Sequence, residues 1–318
     1  MLRPSAAAAR DVMKSVQDEA TFGASFSWPL WDDAKGVEAA ESGQPEFVLE
    51  TPSEPLGEFV IGQVRRPRCF CFVPEKPNGR AVLILAGGGY TRLVIGKEGF
   101  EPADWLAGLG FHAFVLAHRF PCRAAAASRQ CGAQAPADDA IEAMRQIRAR
   151  APTMGIAPQG VGVIGLSSGG HLAACLVANY PQDWVAPTSL FANQESRPDF
   201  LVVGYGPIST NAKGRTIVAN KPSLPPPEKQ ALYDAIQPDA HLIDDPPPAF
   251  LVYAADDPIV PVENGRRLHA ALEAKGAHAE LHIFAHAPHG FALRESGLPV
   301  GLWPKLCENW LREIGMLT

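Results

Sequence analysis

The sequence predicts an α/β fold with a mainly parallel central sheet and helices on both of its faces. From residue 81 onward, short apolar, β-branched segments alternate with segments of helical period, and this alternation is typical of parallel strands joined by right-handed crossovers. Before that point, strand-like segments broken by prolines indicate an antiparallel entry to the sheet. We therefore expect functional groups to lie in loops at the carboxyl ends of the parallel strands.

Length and composition predict a single domain. The 318 residues are 47% hydrophobic and 19% charged, as expected of a globular protein with one large core. The segment Trp28-Pro29-Leu30-Trp31 carries two aromatic anchors. We expect one domain over residues 1–318, with residues 1 to about 45 packed on it as an arm and no large cap domain.

Charge and hydropathy limit the classes of partner and the cellular location that we expect. The net charge of −6 comes without a basic cluster, which argues against nucleic acid or an anionic membrane surface as a partner. No apolar stretch is long enough to span a bilayer. The apolar run at 6–9 is only four alanines, too short for a secretory signal, and the six scattered cysteines indicate free thiols. We expect a cytoplasmic location; the sequence does not indicate an oligomeric state.

The individual elements follow in chain order. A short helix is predicted at 6–18 in the arm, and entry strands are predicted at 47–50, 60–64 and 68–73. The alternating region predicts strands at 81–86, 112–117, 161–166, 199–204, 249–254 and 279–284. Helices are predicted at 101–109, 137–150, 169–179, 262–275 and 302–314. The proline-rich segment 205–248, with one short predicted helix at 228–236, is long enough to be a functional loop over a site.

Ser167 lies at a sharp turn between the strand at 161–166 and the helix that follows it. Gly165 and Gly169 flank it at two residues on either side, where a tight strand-to-helix elbow leaves no room for a Cβ. The pattern G-x-S-x-G is weak evidence alone, and its structural context strengthens it. The amide of Ser168 and the positive end of the helix dipole then face the place where an oxyanion would form, which indicates acyl transfer.

A nucleophilic serine needs a base and a third group that orients the base. Asp256 and Asp257 come directly after the strand at 249–254, and His289 is followed by glycine in the loop after the last strand. The order Ser, Asp, His and the placement at strand ends favour an imidazole that reaches the serine. Either aspartate could hold that imidazole.

A metal site is the rival interpretation of the histidines in this region. The four candidates are His278, His282, His286 and His289. Strand alternation and loop placement scatter them, and no acidic or cysteine ligand accompanies them at zinc-like spacing. We therefore expect neither a metal nor a cofactor.

A glycine-rich loop supplies the remaining requirement, an oxyanion hole. Gly87-Gly88-Gly89 follows the strand at 81–86, and consecutive glycines let backbone N–H groups point at a substrate oxygen without an intervening side chain. A phosphate-binding loop is the alternative. It is disfavoured because no Lys or Arg follows at Walker spacing and G-x-G-x-x-G is not satisfied.

With these residues assembled, the chain resembles the α/β-hydrolase superfamily, and within it small esterases similar to acetyl xylan esterase and feruloyl esterase. The resemblance runs from about residue 28 to residue 310 and includes Gly87-Gly88-Gly89-Tyr90, Gly165-Leu166-Ser167-Ser168-Gly169-Gly170-His171, Asp257-Pro258-Ile259-Val260 and Pro288-His289-Gly290-Phe291. It implies an α/β-hydrolase fold and a triad in which Ser167 is the nucleophile, Asp257 the orienting acid and His289 the base. It also implies oxyanion amides from Gly88, Gly89 and Ser168.

The resemblance favours Asp257 over Asp256 as the acid. In similar sequences an apolar pair two residues after the acid packs the turn, as Ile259-Val260 would here. Asp256 is instead expected to hydrogen-bond the backbone of its own loop.

The leading functional hypothesis is a serine carboxylesterase that hydrolyses short-chain, acetyl-type esters through an acyl-enzyme, including esters of sugars or oligosaccharides. The substrate would be a small-molecule ester, with Trp184 or Trp303 as a wall of a small acyl pocket; a core position is the alternative interpretation of each tryptophan. One alternative is a prolyl-oligopeptidase-like peptidase, for which 318 residues leave no room for a peptide-capturing extra domain. Another is a hydrolase-fold protein that binds a ligand without turnover, which a missing triad member would have indicated.

Overall fold

The computed structural model describes residues 23–31, 47–50, 59–122, 132–180, 189–209 and 227–317. The helix predicted at 6–18 and Trp184 lie outside these residues. That residues 1–318 form one domain stays a prediction.

Ten strands are present in the described part of the chain. They are β1 (Phe26–Pro29), β2 (Phe47–Glu50), β3 (Val60–Val64), β4 (Arg68–Phe72), β5 (Ala81–Leu85), β6 (His112–Ala117), β7 (Val161–Leu166), β8 (Leu201–Gly204), β9 (Ala249–Ala254) and β10 (Ala279–Phe284). Eight of them form one sheet in the order β1-β4-β6-β5-β7-β8-β9-β10. In this spatial order, each adjacent pair from β6 to β10 is parallel, whereas the pairs β1–β4 and β4–β6 are antiparallel. The predicted mainly parallel sheet is confirmed.

Six α-helices accompany the strands within the described ranges. They are α1 (Glu101–Gly108), α2 (Ala135–Arg150), α3 (Ser168–Cys175), α4 (Pro227–Ala235), α5 (Glu263–Ala274) and α6 (Trp303–Glu313). Every residue of β5, β6, β7 and β9 is buried. Because successive side chains of a strand point to opposite faces, this burial means that both faces of the central sheet are covered.

The entry region differs from the prediction in two ways. β3 pairs antiparallel with β2 in a separate two-stranded sheet instead of joining β4. β1 was not predicted as a strand, yet Phe26–Pro29 pairs with β4 and forms the edge of the main sheet. Proline is tolerated there because an edge strand has one side free of ladder hydrogen bonds.

Two tryptophans anchor the described part of the arm to α2. Trp28 Nε1 donates to Gln146 Oε1 at 2.8 Å, and Trp31 Nε1 donates to Asp139 Oδ1 at 2.8 Å. The Trp28 ring also packs edge-on against Phe114 of β6, with the ring centroids 5.7 Å apart. The expectation that these tryptophans fasten the arm to the body agrees with these contacts.

Asp139 is the buried centre of this attachment. Its carboxylate accepts hydrogen bonds from the backbone N–H and the guanidinium of Arg119, in addition to that from Trp31. The Asp139 side chain is 0% exposed and that of Arg119 is 14% exposed. The ion pair therefore joins the loop after β6, the helix α2 and the arm at one desolvated point.

The cysteines correct one expectation. Cys69, Cys71, Cys175 and Cys307 are free and buried, but Cys122 is disulfide-bonded. The inference that all the cysteines are free thiols was therefore wrong. Within the described ranges, no helix has the length and apolar character needed to cross a bilayer.

We predict that Asp139→Asn lowers the free energy of unfolding by about 3 kcal/mol, because it leaves the Arg119 guanidinium buried without its counter-charge. Urea titration followed by circular dichroism measures this, with an unchanged m-value if the unfolded state is unaffected. Asp244→Asn is the matched control, because Asp244 also pairs with a cation, Lys275, but its side chain is 99% exposed. Equal stability losses for the two variants would contradict the anchoring role of Asp139.

Candidate active site

The nucleophile position has the geometry expected of a strand-to-helix elbow. Ser167 directly follows β7 and has φ 53° and ψ −126°, and α3 begins at Ser168. A Cβ on Gly165 would lie 2.0 Å from the Gly169 carbonyl oxygen, and one on Gly169 would lie 1.9 Å from the Leu85 carbonyl oxygen. Both glycines are therefore sterically required, as the sequence pattern predicted. The backbone strain at Ser167 is of the order of 1–3 kcal/mol, as is common at functional sites.

Ser167, His289 and Asp257 form one hydrogen-bonded chain. The Ser167 Oγ lies 2.9 Å from His289 Nε2, and His289 Nδ1 lies 2.8 Å from Asp257 Oδ2. The Asp257 side chain is 1% exposed, whereas that of His289 is 19% exposed. With its proton on Nδ1 donated to the buried carboxylate, the imidazole presents Nε2 as an acceptor to the serine hydroxyl.

The two adjacent aspartates have different partners. Asp257 Oδ1 accepts from the backbone N–H groups of Ile259 and Val260 at 2.8 and 2.9 Å, which fixes the rotation of the carboxylate. Asp256 instead pairs with the Nδ1 atom of His286 and accepts from the N–H of Ala287 at 3.1 Å. The structure thus brings Asp257 to His289, and the carboxylates of both aspartates also accept hydrogen bonds from the backbone of their own loop.

The Asp256–His286 pair is exposed and lies beside the triad. The His286 and Asp256 side chains are 71% and 45% exposed. The hydrogen bond from His286 lowers the pKa of Asp256, and the bond from the Ala287 amide adds to this effect. Asp256 therefore ties the loop after β9 to the loop after β10 without contacting the serine.

The glycine loop packs against the elbow. The Gly87 and Gly88 carbonyls accept from the N–H groups of Val94 and Thr91 at 2.9 and 3.3 Å. Gly87 abuts the elbow, because a Cβ on it would lie 2.6 Å from the Ser167 Cβ. Among the described residues, no hydrogen-bond acceptor occupies the amides of Gly88 or Ser168.

Gly89, the third expected oxyanion donor, has a different contact. Its N–H donates to the Ser168 hydroxyl oxygen at 2.9 Å. This bond joins the glycine loop directly to the first turn of α3. Gly89 is therefore a link between the two elements that carry the Gly88 and Ser168 amides, and the binding of a substrate oxygen by any of these amides stays a prediction.

A buried histidine, His171, contacts the residue after the glycine loop and the segment after α4. His171 Nδ1 accepts from the Tyr90 hydroxyl at 2.9 Å, and its Nε2 lies 3.3 Å from the Ile236 carbonyl oxygen. Burial lowers the pKa of His171 to about 4, so the ring is neutral at pH 7 and can accept from one group while donating to the other. His171 thus connects the end of the glycine loop to the residue that follows α4.

Sequence reasoning missed two residues at the site, Glu98 and Tyr205. Glu98 is only 4% exposed and its carboxylate accepts from the Gly87 amide at 2.9 Å and from the Tyr205 hydroxyl at 3.1 Å. The Tyr205 ring lies edge-on to His289, with centroids 5.3 Å apart. The one available signal was a Lys97-Glu98 pair inside an otherwise apolar and glycine-rich stretch.

Two other expectations concern the histidines and Trp303. Within the part of the chain that is described, no group of three or more His, Cys, Asp or Glu side chains is placed to hold a metal ion. Trp303 is 0% exposed and donates from Nε1 to the Ala292 carbonyl at 2.6 Å. Of the two interpretations of Trp303, a wall of the acyl pocket or a core residue, the structure supports the core residue, which lies under the loop that carries His289.

Known proteins with similar sequences and folds include esterases. The BD-FAE family model matches residues 73–272. The acetylxylan esterase of Xylanibacter ruminicola is 30% identical over 254 residues, covering 77% of this chain and 46% of that protein. The chain thus spans less than half the length of this curated relative.

Solved structures agree at the level of the fold. An acetyl ester-xyloside bifunctional hydrolase from Caldicellulosiruptor lactoaceticus superposes with a TM-score of 0.67 at 28% identity, over 92% of this chain and 97% of that one. A propionate-bound esterase from the planctomycete Thermogutta terrifontis superposes with a TM-score of 0.63 at 24% identity, over 86% and 96% of the two chains. The expected serine hydrolase of the carboxylesterase type is consistent with these relatives. The chain belongs to the BD-FAE family and is an esterase-like α/β-hydrolase.

Proposed function

We propose that this domain is a serine carboxylesterase that hydrolyses short-chain, acetyl-type esters through an acyl-enzyme. The observation that carries the proposal is the chain of hydrogen bonds from Ser167 through His289 to Asp257, at the carboxyl edge of the parallel sheet. A serine hydroxyl is a weak nucleophile unless a positioned base accepts its proton. A complete and hydrogen-bonded triad disfavours the alternative of a hydrolase-fold protein that binds without turnover.

The first half of the reaction acylates the serine. His289 Nε2 takes the proton of Ser167 as the oxygen attacks the ester carbonyl carbon, and the resulting imidazolium is stabilised by Asp257. The carbonyl oxygen becomes an oxyanion and accepts hydrogen bonds from the Gly88 and Ser168 amides at the positive end of α3. The tetrahedral intermediate collapses when His289 returns the proton to the departing alcohol.

The second half releases the acid and restores the enzyme. Water enters in place of the alcohol, and His289 accepts one of its protons as the water oxygen attacks the acyl carbon. The same amides hold the second oxyanion. Collapse breaks the bond to Ser167 Oγ, which regains its proton from His289. This cycle needs no cofactor.

The chemistry of the relatives supports an acetyl ester as substrate. One curated relative is an acetylxylan esterase, and one structural relative is a bifunctional hydrolase of acetyl esters and xylosides. We therefore infer an acetyl group carried by a sugar or oligosaccharide.

The cytoplasmic location stays a prediction. It depended partly on free thiols, and the disulfide at Cys122 removes that support because disulfides persist in oxidising compartments.

We predict that Ser167→Ala and His289→Ala each lower kcat for p-nitrophenyl acetate by at least about 10⁴-fold, because members of a triad act as a unit. Ser167→Ala should also abolish covalent labelling by a fluorophosphonate probe. Ser196→Ala is the control, since its hydroxyl contacts Tyr180 and no triad member. A loss of labelling for Ser168→Ala but not for Ser167→Ala would contradict the assignment of the nucleophile.

The two aspartates can be separated by matched substitutions. Asp257→Asn should lower kcat by about 10⁴-fold, since an amide in place of the carboxylate favours the wrong imidazole tautomer. Asp256→Asn should lower it less than about tenfold, because it only loosens the contact between two loops. Steady-state kinetics on p-nitrophenyl acetate measures both, and a larger loss for Asp256→Asn would reverse the assignment.

Substrate length and alcohol are tested separately. We expect kcat/KM to fall from p-nitrophenyl acetate to butyrate to octanoate, and acetate to be released from acetylated xylo-oligosaccharides, with Ser167→Ala as the blank. Faster turnover of octanoate than of acetate would refute the short acyl pocket. Failure to release acetate from any acetylated sugar would refute the sugar alcohol and leave the esterase chemistry standing.

A further inference from the structure

Glu98 is a buried carboxylate next to the reaction centre that the triad mechanism does not use. It lies in a single π-helical turn, Gly96–Phe100, between the glycine loop and α1. Glu98 is only 4% exposed. Such π-helical turns are frequent at functional sites, and a buried carboxylate is costly unless its oxygens are satisfied. The contacts of Glu98 therefore need an explanation.

Each carboxylate oxygen of Glu98 accepts from a different catalytic loop region. Oε2 accepts from the Gly87 amide at 2.9 Å, which holds the start of the glycine loop. Oε1 accepts from the Tyr205 hydroxyl at 3.1 Å, and the oxygen of that hydroxyl accepts from the Ala292 amide at 3.2 Å. Ala292 lies three residues beyond His289. One carboxylate thus ties the glycine loop to the loop that carries the base.

The atoms around these hydrogen bonds are closely packed. A Cβ on Gly87 would lie 2.5 Å from Glu98 Oε2, and a Cβ on Gly290 would lie 3.5 Å from Oε1. Tyr205, which links the two loops, has φ 39° and packs its ring on His289 and Phe291. A residue held in this strained conformation needs support from its neighbours, and Glu98 supplies part of it.

The ionised form of Glu98 suits these contacts. Both the Gly87 amide and the Tyr205 hydroxyl are donors, so a protonated carboxyl would place its own O–H against a donor. Burial raises the pKa of Glu98, while the charge of His289, the Tyr205 hydroxyl, the Gly87 amide and the Lys97 ammonium lower it. A carboxylate that interacts with the positive charge of His289 is favoured most when the imidazolium forms, which is the state reached during attack on the ester.

We propose that Glu98 is a positioning residue of the esterase reaction. Its carboxylate holds the glycine loop and the His289 loop in a fixed relative position and stabilises the imidazolium. This proposal rests on the proposed function. It assigns Glu98 no contact with the substrate. Its removal is therefore expected to reduce the rate of the chemical steps and to leave substrate binding largely unchanged.

The test compares Glu98→Gln with Glu101→Gln. Glu101 is a glutamate three residues further along the chain, whose carboxylate pairs with Arg294 and is 37% exposed. We expect Glu98→Gln to lower kcat for p-nitrophenyl acetate by about 100-fold, similar to removal of one oxyanion-hole donor, with KM within about twofold. Glu101→Gln should retain the kcat of the unsubstituted protein. Equal kcat values for all three proteins would overturn the proposal.

The acid side of the pH profile distinguishes positioning through the charge from a merely structural effect. Because the pKa of Glu98 is raised by burial, activity that needs the ionised carboxylate is present above that pKa and lost as pH falls through it. The acid limb of the kcat/KM profile should therefore be steeper in the unsubstituted protein than in Glu98→Gln, because the variant lacks the titrating carboxylate. An acid limb of identical shape in both proteins would overturn the role of the charge.

Tyr205→Phe keeps the proposal testable if Glu98→Gln fails to fold. It removes the hydroxyl between Glu98 and Ala292 while leaving the bond to Gly87, and we expect kcat to fall about tenfold. An unchanged kcat would overturn the link between the loops. Fluorophosphonate labelling separates the two levels of inference: a protein that labels at Ser167 but is unaffected by the Glu98 and Tyr205 substitutions retains the proposed function and loses only this role of Glu98. A protein that does not label loses both.

Discussion

The close approach of three backbones around Ser167 is the constraint on which the rest of the site depends. The carbonyl of Leu85 at the end of β5 lies where a Cβ on Gly169 would be, and the carbonyl of Gly169 lies where a Cβ on Gly165 would be. The strand β7, the helix α3 and the glycine loop are thereby held at contact distance. Only glycine permits this approach without displacing one of the three elements. The strained backbone of Ser167 is maintained by this packing.

Polar groups then hold the loops that converge on the elbow. Gly89 is bonded to Ser168, Tyr90 to His171, and Gly87 to Glu98. Each of these contacts uses a buried or partly buried polar group, so each loop has one preferred position. Among the described residues, the amides of Gly88 and Ser168 have no acceptor, whereas those of Gly87 and Gly89 do. Electrostatic stabilisation of this kind depends on donors that need no reorganisation during the reaction.

Much of the fold and of the triad could be predicted from the sequence because both depend on local patterns. The strands at 112–117, 161–166, 249–254 and 279–284 have the predicted bounds, and the first three are buried throughout, as expected of mainly apolar strands inside a covered sheet. β1 was missed because Phe26–Pro29 contains a proline and pairs with a segment about forty residues away. The choice between Asp256 and Asp257 depended on resemblance, and the structure brings Asp257 to His289 by a turn that no local pattern specifies.

The contacts of Glu98 and of the Gly89 amide could not be predicted from the sequence. The contact between Glu98 and Tyr205 joins residues 107 positions apart, and a single glutamate in an apolar stretch is equally compatible with a surface position. The resemblance implied that the Gly89 amide faces the substrate. In the structure the Gly89 N–H donates to the Ser168 hydroxyl, and the dihedral angles differ between the glycines, with φ 131° at Gly88 and 66° at Gly89.

The separation of the triad along the chain has a consequence during protein synthesis. Ser167 and His289 are 122 positions apart, and the base lies in the loop after the final strand of the sheet. A ribosome therefore completes the elbow well before it releases His289. Domains fold largely as units during translation, so the contact between Ser167 and His289 can form only once β10 and the loop after it have been synthesised.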